Sequence, residues 1–330
     1  MTIFGLIKKD SGVDFHRITM PLLMMPGIDA YITNGLQPVD LTGNGWKPNG
    51  SPLNKPDAIY YNRVVSEDVV KMAHKEGIKI VVDVDDYWLL DPHHIAYNDY
   101  MTNKFHELQC KHLIFADAVT TTHERLAEKI SEFNKNVTIT SNAIPDHPFF
   151  KVERTTSEYT RLFWQGSITH ERDIELLRGP MRRLNAGKFA AIIAGYTKHR
   201  VWDSMVNAFT NGLRLRGLVL EGKPPTEYYQ HYAHADICLC PLLDTPFNAL
   251  KSNLKILEAA NLGLPVIASR VHPYLSMPVT YVHRQKDWAF NIMDIVKDDN
   301  MRVRGEYLRD YCNRNFNFNT INEKRKECFV

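Results

Sequence analysis

Between Asp244 and Ser269 the chain reads DTPFNALKSNLKILEAANLGLPVIAS, which gathers Asn248, Lys251, Ser252, Lys255 and Glu258 into one turn-rich loop and one short helix. Ser252 is the expected N-cap, Gly263 the expected stop, and Pro265 to Ala268 the buried-type strand that follows. Lys255 and Glu258 lie three residues apart, nearly one helical turn, so a cation and a carboxylate share a face. Free N–H groups and the positive dipole end at the helix start, together with Lys251 and Lys255, suit an anion such as a diphosphate. One turn further on, Glu258 is placed to accept hydrogen bonds from vicinal hydroxyls. Phosphate plus diol describes a nucleotide sugar. The same spacing also fits an amphipathic helix with a solvated Lys/Glu pair and a glycine C-cap.

A second constellation lies in TRLFWQGSITHERDIELL, predicted as a strand, a tight Gly166–Ser167 turn and an amphipathic helix carrying His170, Arg172 and Asp173. Small residues at such a turn let a phosphate approach the backbone closely. Near the start, TIFGLIKK reads as a strand and SGVDFHRITMPLL as a glycine loop entering a helix. Ligands of open α/β sheets gather at the carboxyl ends of strands, so Gly12, His16 and Arg17 are candidates to line a ligand edge. A surface turn with a solvated arginine is the other reading. In DVDDYW, Asp83, Asp85 and Asp86 form an acidic cluster that would suit Mg²⁺ or Mn²⁺, or would cap loops and bind acceptor hydroxyls. Pro92, His93 and His94 follow in a loop, as catalytic or acceptor-binding imidazoles or as surface residues. Thr121 and Glu124 have capping-box spacing, and Thr122 and His123 fall where the chain turns at the sheet's carboxyl edge.

The elements that must position these residues alternate regularly. DAIYYN, SEDVVKMAHKEG and IKIVVDV read as strand, capped helix and strand, and the rhythm continues through ADAVTTTHERLAEKI, VTITSNAIP, FAAIIAGY and DICLCPL. Such alternation predicts α/β architecture with parallel, doubly wound sheets. The 330 residues, 44% hydrophobic, suffice for two domains with proper cores. A formal charge of +2 argues against a strongly basic nucleic-acid-binding surface overall. No apolar run approaches the length of a membrane helix, and MTIFGLIKKDSG lacks a signal-peptide layout, so a cytoplasmic protein without integral membrane association is expected. Five cysteines without framework spacing predict reduced thiols, with Cys238 and Cys240 packing on one strand face. Gly35 to Pro56, rich in Gly, Pro and Asn and containing Trp46 and Lys47, is predicted as a loop region, either functional or disordered.

The stretch ending Glu258, Ala259, Gly263, Pro265, Val266, Ile267, Ala268 resembles the donor-binding segment of GT-B glycosyltransferases, in particular glycosyltransferase family 4. Gly166, Ser167, His170 and Asp173 resemble that family's first C-domain motif, and SNAIPDHPF its passage between domains. Two departures stand out. The family often carries two glutamates separated by seven residues, and Leu250 occupies the position of the first, with Asn248 or loop amides as its replacement. The Arg and Lys pair that neutralises the donor diphosphate is not plainly present, which leaves Arg172, Lys251 and Lys255 as substitutes.

The resemblance implies two Rossmann-like domains facing a cleft: residues 1–148 for the acceptor, 149–305 for the donor, and 306–330 as a terminal helix returning to the first domain. It implies transfer of a sugar from a nucleotide-sugar donor to a hydroxyl acceptor with retention, closure of the cleft aligning the two. Lys255, Arg172, His123 and Asp85 are the expected catalytic set. Gly12, Arg17, Gly166, Ser167, His170, Asn248, Lys251, Ser252 and Glu258 are the expected donor set. No cofactor is required and no metal site is expected, Asp83, Asp85 and Asp86 being the one weighed. The acceptor is a surface or lipid-linked glycan, or a hydroxymethylated pyrimidine in DNA as in some phage-encoded enzymes. A DNA acceptor would need Lys8, Lys9, Arg17, Lys47 and Arg63 as a basic patch, with Trp46, Tyr60 and Tyr61 for stacking. A nucleotide-sugar epimerase of the same fold and a non-catalytic sugar-nucleotide binder are the alternatives.

Overall fold

The computed structural model describes residues 1–43, 54–212 and 214–330. Trp46 and Lys47, with residues 44–53 of the predicted loop, lie outside the described residues. The chain divides into two compact units. The first comprises Met1–Leu90, Asn98–Asn142 and Phe318–Val330, and the second Asp91–Tyr97 and Ala143–Asn317. The sequence predicts the first break at 148/149 and the return at 306. Residue 306 falls inside the helix Asn300–Asn315, which belongs to the second unit, and the helix Phe318–Lys326 is the one in the first unit.

The first unit holds six parallel strands: β1 (Thr2–Leu6), β2 (Asp29–Thr33), β3 (Ala58–Asn62), β4 (Lys79–Val84), β5 (Ala118–Thr121) and β6 (Val137–Ile139), in the order β2-β1-β3-β4-β5-β6. Its central strands are near-continuous apolar runs, with all of AIYYN buried, because a parallel sheet is covered on both faces. The last residues return to this unit, where the Phe329 ring meets Tyr60 edge-on at 5.2 Å.

The second unit holds β7 (Thr160–Gln165), β8 (Phe189–Tyr196), β9 (Arg216–Glu221), β10 (Ile237–Cys240), β11 (Val266–Ser269) and β12 (Thr280–Val282), in the order β12-β11-β10-β7-β8-β9, again all parallel. Trp164, Trp202 and Trp288 are buried in its core, and at about 25 cal/mol per Å² of apolar surface such rings dominate the packing energy. Cys238 and Cys240 are buried on β10, and all five cysteines are free thiols.

Candidate functional site

In the second sheet β7 and β10 are neighbours, but the chain leaves them toward opposite sides, β7 toward β8 and β10 toward β11. Such a switch point opens a crevice at the carboxyl ends of the strands, the ligand position of doubly wound sheets. A cavity of about 330 Å³ lies there, lined among others by Asp91, Arg172, Asp173, Arg200, Asn248 and Lys251. The strand ends themselves are closely fitted. The Gly166 N–H donates to the Ala194 carbonyl at 3.2 Å, and Gly195 has φ +100°, with no room for a Cβ beside the Gly166 carbonyl. A Cβ on Gly166 would itself meet the Trp164 ring at 2.7 Å and Lys255 Nζ at 3.1 Å. Only glycine fits either place.

One buried carboxylate organises the crevice wall. Asp173 Oδ2 pairs with His170 Nδ1 at 2.7 Å, while its Oδ1 accepts from the Leu243 N–H at 2.8 Å and from Asn248 Nδ2 at 3.3 Å. Burial, with the charge of Lys255 next, brings His170 down to about 4, so its ring is neutral near pH 7. Burial opposes the charge of Asp173, yet its hydrogen bonds to His170 and Leu243 hold it below the usual carboxylate range. Arg172 lies 3.5 Å from Asp91, and Lys251 Nζ lies 4.7 Å from the centre of the Phe247 ring.

The helix that carries Lys255 and Glu258 spans Leu254–Asn261 with Asn253 at its N-cap, not Ser252. A 3-10 turn over Asn248–Leu250 and an extended Lys251 delay its start, which removes Ser252 from the capping position. Lys255 Nζ sits 4.9 Å from the Trp164 ring centre, and burial lowers its pKa to about 8. Glu258 is buried, with Tyr228 and Tyr232 each donating a hydroxyl to its carboxylate and Tyr229 donating to its backbone carbonyl at 2.7 Å. Its two oxygens thus face tyrosines of the 3-10 segment Tyr228–His234, rather than standing open for a diol.

The first unit places its candidates differently from expectation. Arg17 is buried and fully engaged. Its guanidinium reaches Asp83 at 2.7 Å, the Thr140 carbonyl at 2.6 Å, Thr140 Oγ1 at 3.0 Å and Asn142 Oδ1 at 3.1 Å. A cation with its donors consumed in the interior is a crosslink, so the donor-edge role expected of Arg17 gives way. Asp83 also accepts from Thr120, Asn62 and Tyr60, which turns it inward. Asp85 accepts from Asn62 and Arg63, and Asp86 from Arg63. Burial raises the cost of the Asp85 charge, but Arg63 and Asn62 hold its pKa low. Among the described residues no group of three or more His, Cys, Asp or Glu side chains is arranged to hold a metal ion. His123 is the N-cap of the helix Glu124–Ile130, its Nδ1 accepting from the Leu126 N–H, whereas Thr121 ends β5 and donates to the Val84 carbonyl. The expected Thr121–Glu124 capping box is therefore shifted onto the histidine. Gly12 opens a three-residue helical turn with free space around it.

The structure thus brings Arg172, Asn248 and Lys251 around one cavity, with Gly166, His170 and Lys255 packed behind it, and leaves Gly12, Arg17, Asp85 and His123 in the first unit. Sequence reasoning passed over Gly195, His199 and Arg200. The signal was present, since GYTKHR puts a glycine and a basic run at the carboxyl end of β8. His93 and His94, the loop imidazoles, line the same cavity, the His94 ring meeting Phe247 at 5.8 Å.

Two six-stranded parallel sheets, the second with a crevice at its switch point, give the chain the GT-B fold, and its second unit resembles glycosyltransferases of group 1. Residues 160–290 match the family model for glycosyl transferases group 1. No curated protein matches the sequence. Among solved structures, the Anabaena protein Alr3699/HepE in complex with UDP has a TM-score of 0.66 at 13% identity, over 99% of this chain and 98% of that one. An alpha-glucosyltransferase in complex with UDP and a 13-mer DNA containing an HMU base has a TM-score of 0.62 at 12% identity, over 99% and 98%. The S. aureus MnaA–UDP structure has a TM-score of 0.52 at 11% identity, over 98% and 94%. Agreement at these identities is agreement of fold. Among the described residues no helix is long and apolar enough to cross a membrane.

Proposed function

We propose that the chain transfers a sugar from a uridine-diphosphate donor to a hydroxyl acceptor, with retention at the anomeric carbon. The observation that carries this reading is the cavity at the second switch point, where Arg172, Arg200 and Lys251 line a space of about 330 Å³ together with Asp91, Glu171 and Asp173. The UDP seen in three proteins of the same fold supports the choice of base. In this reading the bond from the anomeric carbon to the diphosphate breaks and the bond to the acceptor oxygen forms on the same face. The departing phosphate oxygen takes the acceptor proton. Arg172, Lys251 and Lys255 stabilise the negative charge that develops on the diphosphate, the largest contribution such a site offers. Gly166 and Ser167 admit the phosphates, and Asn248 contacts the sugar where Leu250 offers no carboxylate. Asp85 and His123, held by Arg63 and by a helix N-terminus, keep structural parts.

The acceptor is a glycan hydroxyl or a hydroxymethylated pyrimidine in DNA. The DNA reading draws on the alpha-glucosyltransferase likeness, not on the patch expected from sequence. Arg17, Tyr60 and Tyr61 are buried and have no face to offer a base, and Arg63 is paired with Asp85 and Asp86.

A thermal-shift screen of nucleotide sugars tests the donor, since a ligand at 100 times its Kd adds about 2.7 kcal/mol of stability. Incubation of the stabilising donor with glycan and with hydroxymethylated oligonucleotide then tests transfer. Conversion of donor alone to an epimer would replace the reading by an epimerase. Binding without turnover on any acceptor would replace it by a carrier.

A further inference from the structure

The Asp173 carboxylate touches three separate pieces of the crevice: the His170 ring at the start of the helix Glu171–Met181, the Leu243 backbone after β10, and the Asn248 amide. It therefore joins the two strands that flank the switch point. It also decides the polarity of what the crevice presents. Both N–H groups of the Asn248 amide are consumed, one by Asp173 Oδ1 and the other by the Leu243 carbonyl at 3.0 Å. Asn248 lines the cavity, so the atom left for a ligand is Oδ1, an acceptor. His170 follows the same logic. A neutral imidazole whose Nδ1 faces a carboxylate carries its proton on Nδ1, which leaves Nε2 as an acceptor. Among the charged residues of the cavity wall Asp173 thus fixes one neutral acceptor, Asn248 Oδ1, with the His170 tautomer set behind it, and a neutral acceptor reads hydroxyl groups rather than phosphate.

Resting on the sugar-transfer reading above, we propose that Asp173 is the positioning residue for donor-sugar specificity: held in place by His170, whose tautomer it sets, it orients Asn248 Oδ1 to accept hydrogen bonds from free hydroxyls of a neutral sugar. A site built this way discriminates against donors in which the contacted hydroxyl is missing, because the Asn248 acceptor is then left unpaired.

The test is Asp173→Asn. An amide at 173 can still accept from Leu243 and Asn248 through its oxygen, but it turns an N–H toward His170 Nδ1 and forces the proton onto Nε2. The expected result is UDP affinity within about twofold of wild type by calorimetry, with kcat/KM for the sugar nucleotide lowered at least tenfold. The ¹⁵N signals of His170 should report the Nδ1–H tautomer in wild type and the Nε2–H tautomer in the variant. Asn248→Ala, which keeps Asp173 in place, should likewise spare UDP binding and should shrink the preference for the parent donor over its deoxy analogues. Unchanged turnover in Asp173→Asn, or UDP and sugar-nucleotide affinity falling together in both variants, would overturn the assignment. Failure of the wild-type protein to bind UDP would instead remove the donor reading beneath it.

Discussion

The Lys255 ammonium stands 4.9 Å from the centre of the Trp164 ring, at the back of the Gly166 turn, and makes no ion pair among the described residues. A buried cation that rests against a ring face, with carboxylates near but none paired to it, is poised for an anion. Burial brings its pKa from 10.5 to about 8. The folded, ligand-free protein therefore binds fewer protons than the unfolded chain between about pH 8 and 10.5, and this group adds stability as pH rises through that window. Ligand binding runs the other way. UDP favours the charged form, so affinity should fall as pH passes above about 8, with proton uptake on binding. Calorimetry in buffers of different ionisation enthalpy measures both, and Lys255→Met should abolish the pH dependence along with most of the affinity.

Arg17 and Asp83 form the corresponding fixed point of the first unit, a bidentate pair whose side chains are 2% and 0% exposed. Removing one partner leaves a buried charge uncompensated, which costs about 3–5 kcal/mol. Arg17→Met should therefore lower the denaturation midpoint sharply, whereas the same change at a donor-contacting arginine would spare stability. Chemical denaturation of Arg17→Met beside Arg172→Met separates the two cases.

Glu258 is expected to act through the tyrosines it holds. Glu258→Ala strands the Tyr228 and Tyr232 hydroxyls and should cost about 1–3 kcal/mol per unsatisfied group. Glu258→Gln, which can still accept one hydroxyl, should lose less. Tyr228→Phe with Tyr232→Phe in the Glu258→Ala background should recover part of the loss, as read by thermal unfolding.

Gly195→Ala should distort the end of β8, because a Cβ cannot be placed at φ +100° beside the Gly166 carbonyl. Strain of this kind costs about 1–3 kcal/mol. Its effect on UDP binding should exceed that of Gly179→Ala, where a Cβ meets open space. Side-by-side titrations of the two variants decide it.

The sequence by itself determined the class of fold. Long apolar runs such as AIYYN, KIVVDV and FAAIIAGY, separated by capped helices, have no stable arrangement other than parallel sheets covered on both faces. It also marked Gly166, Asn248 and Lys251, because small residues, amides and cations at strand-to-helix turns declare themselves locally.

Tertiary structure decided which charges remained for chemistry. Whether Arg17 faces water or Asp83 depends on a partner 66 residues away, and whether Glu258 meets a diol or two tyrosines depends on a 3-10 segment before β10. Spacing along one element fixes only which way a side chain points. What it meets there is set by elements brought in from elsewhere in the chain. Asp173 shows this most plainly, since its role follows from Leu243 and Asn248, which are remote in sequence and reach it only because β7 and β10 are neighbours in the sheet.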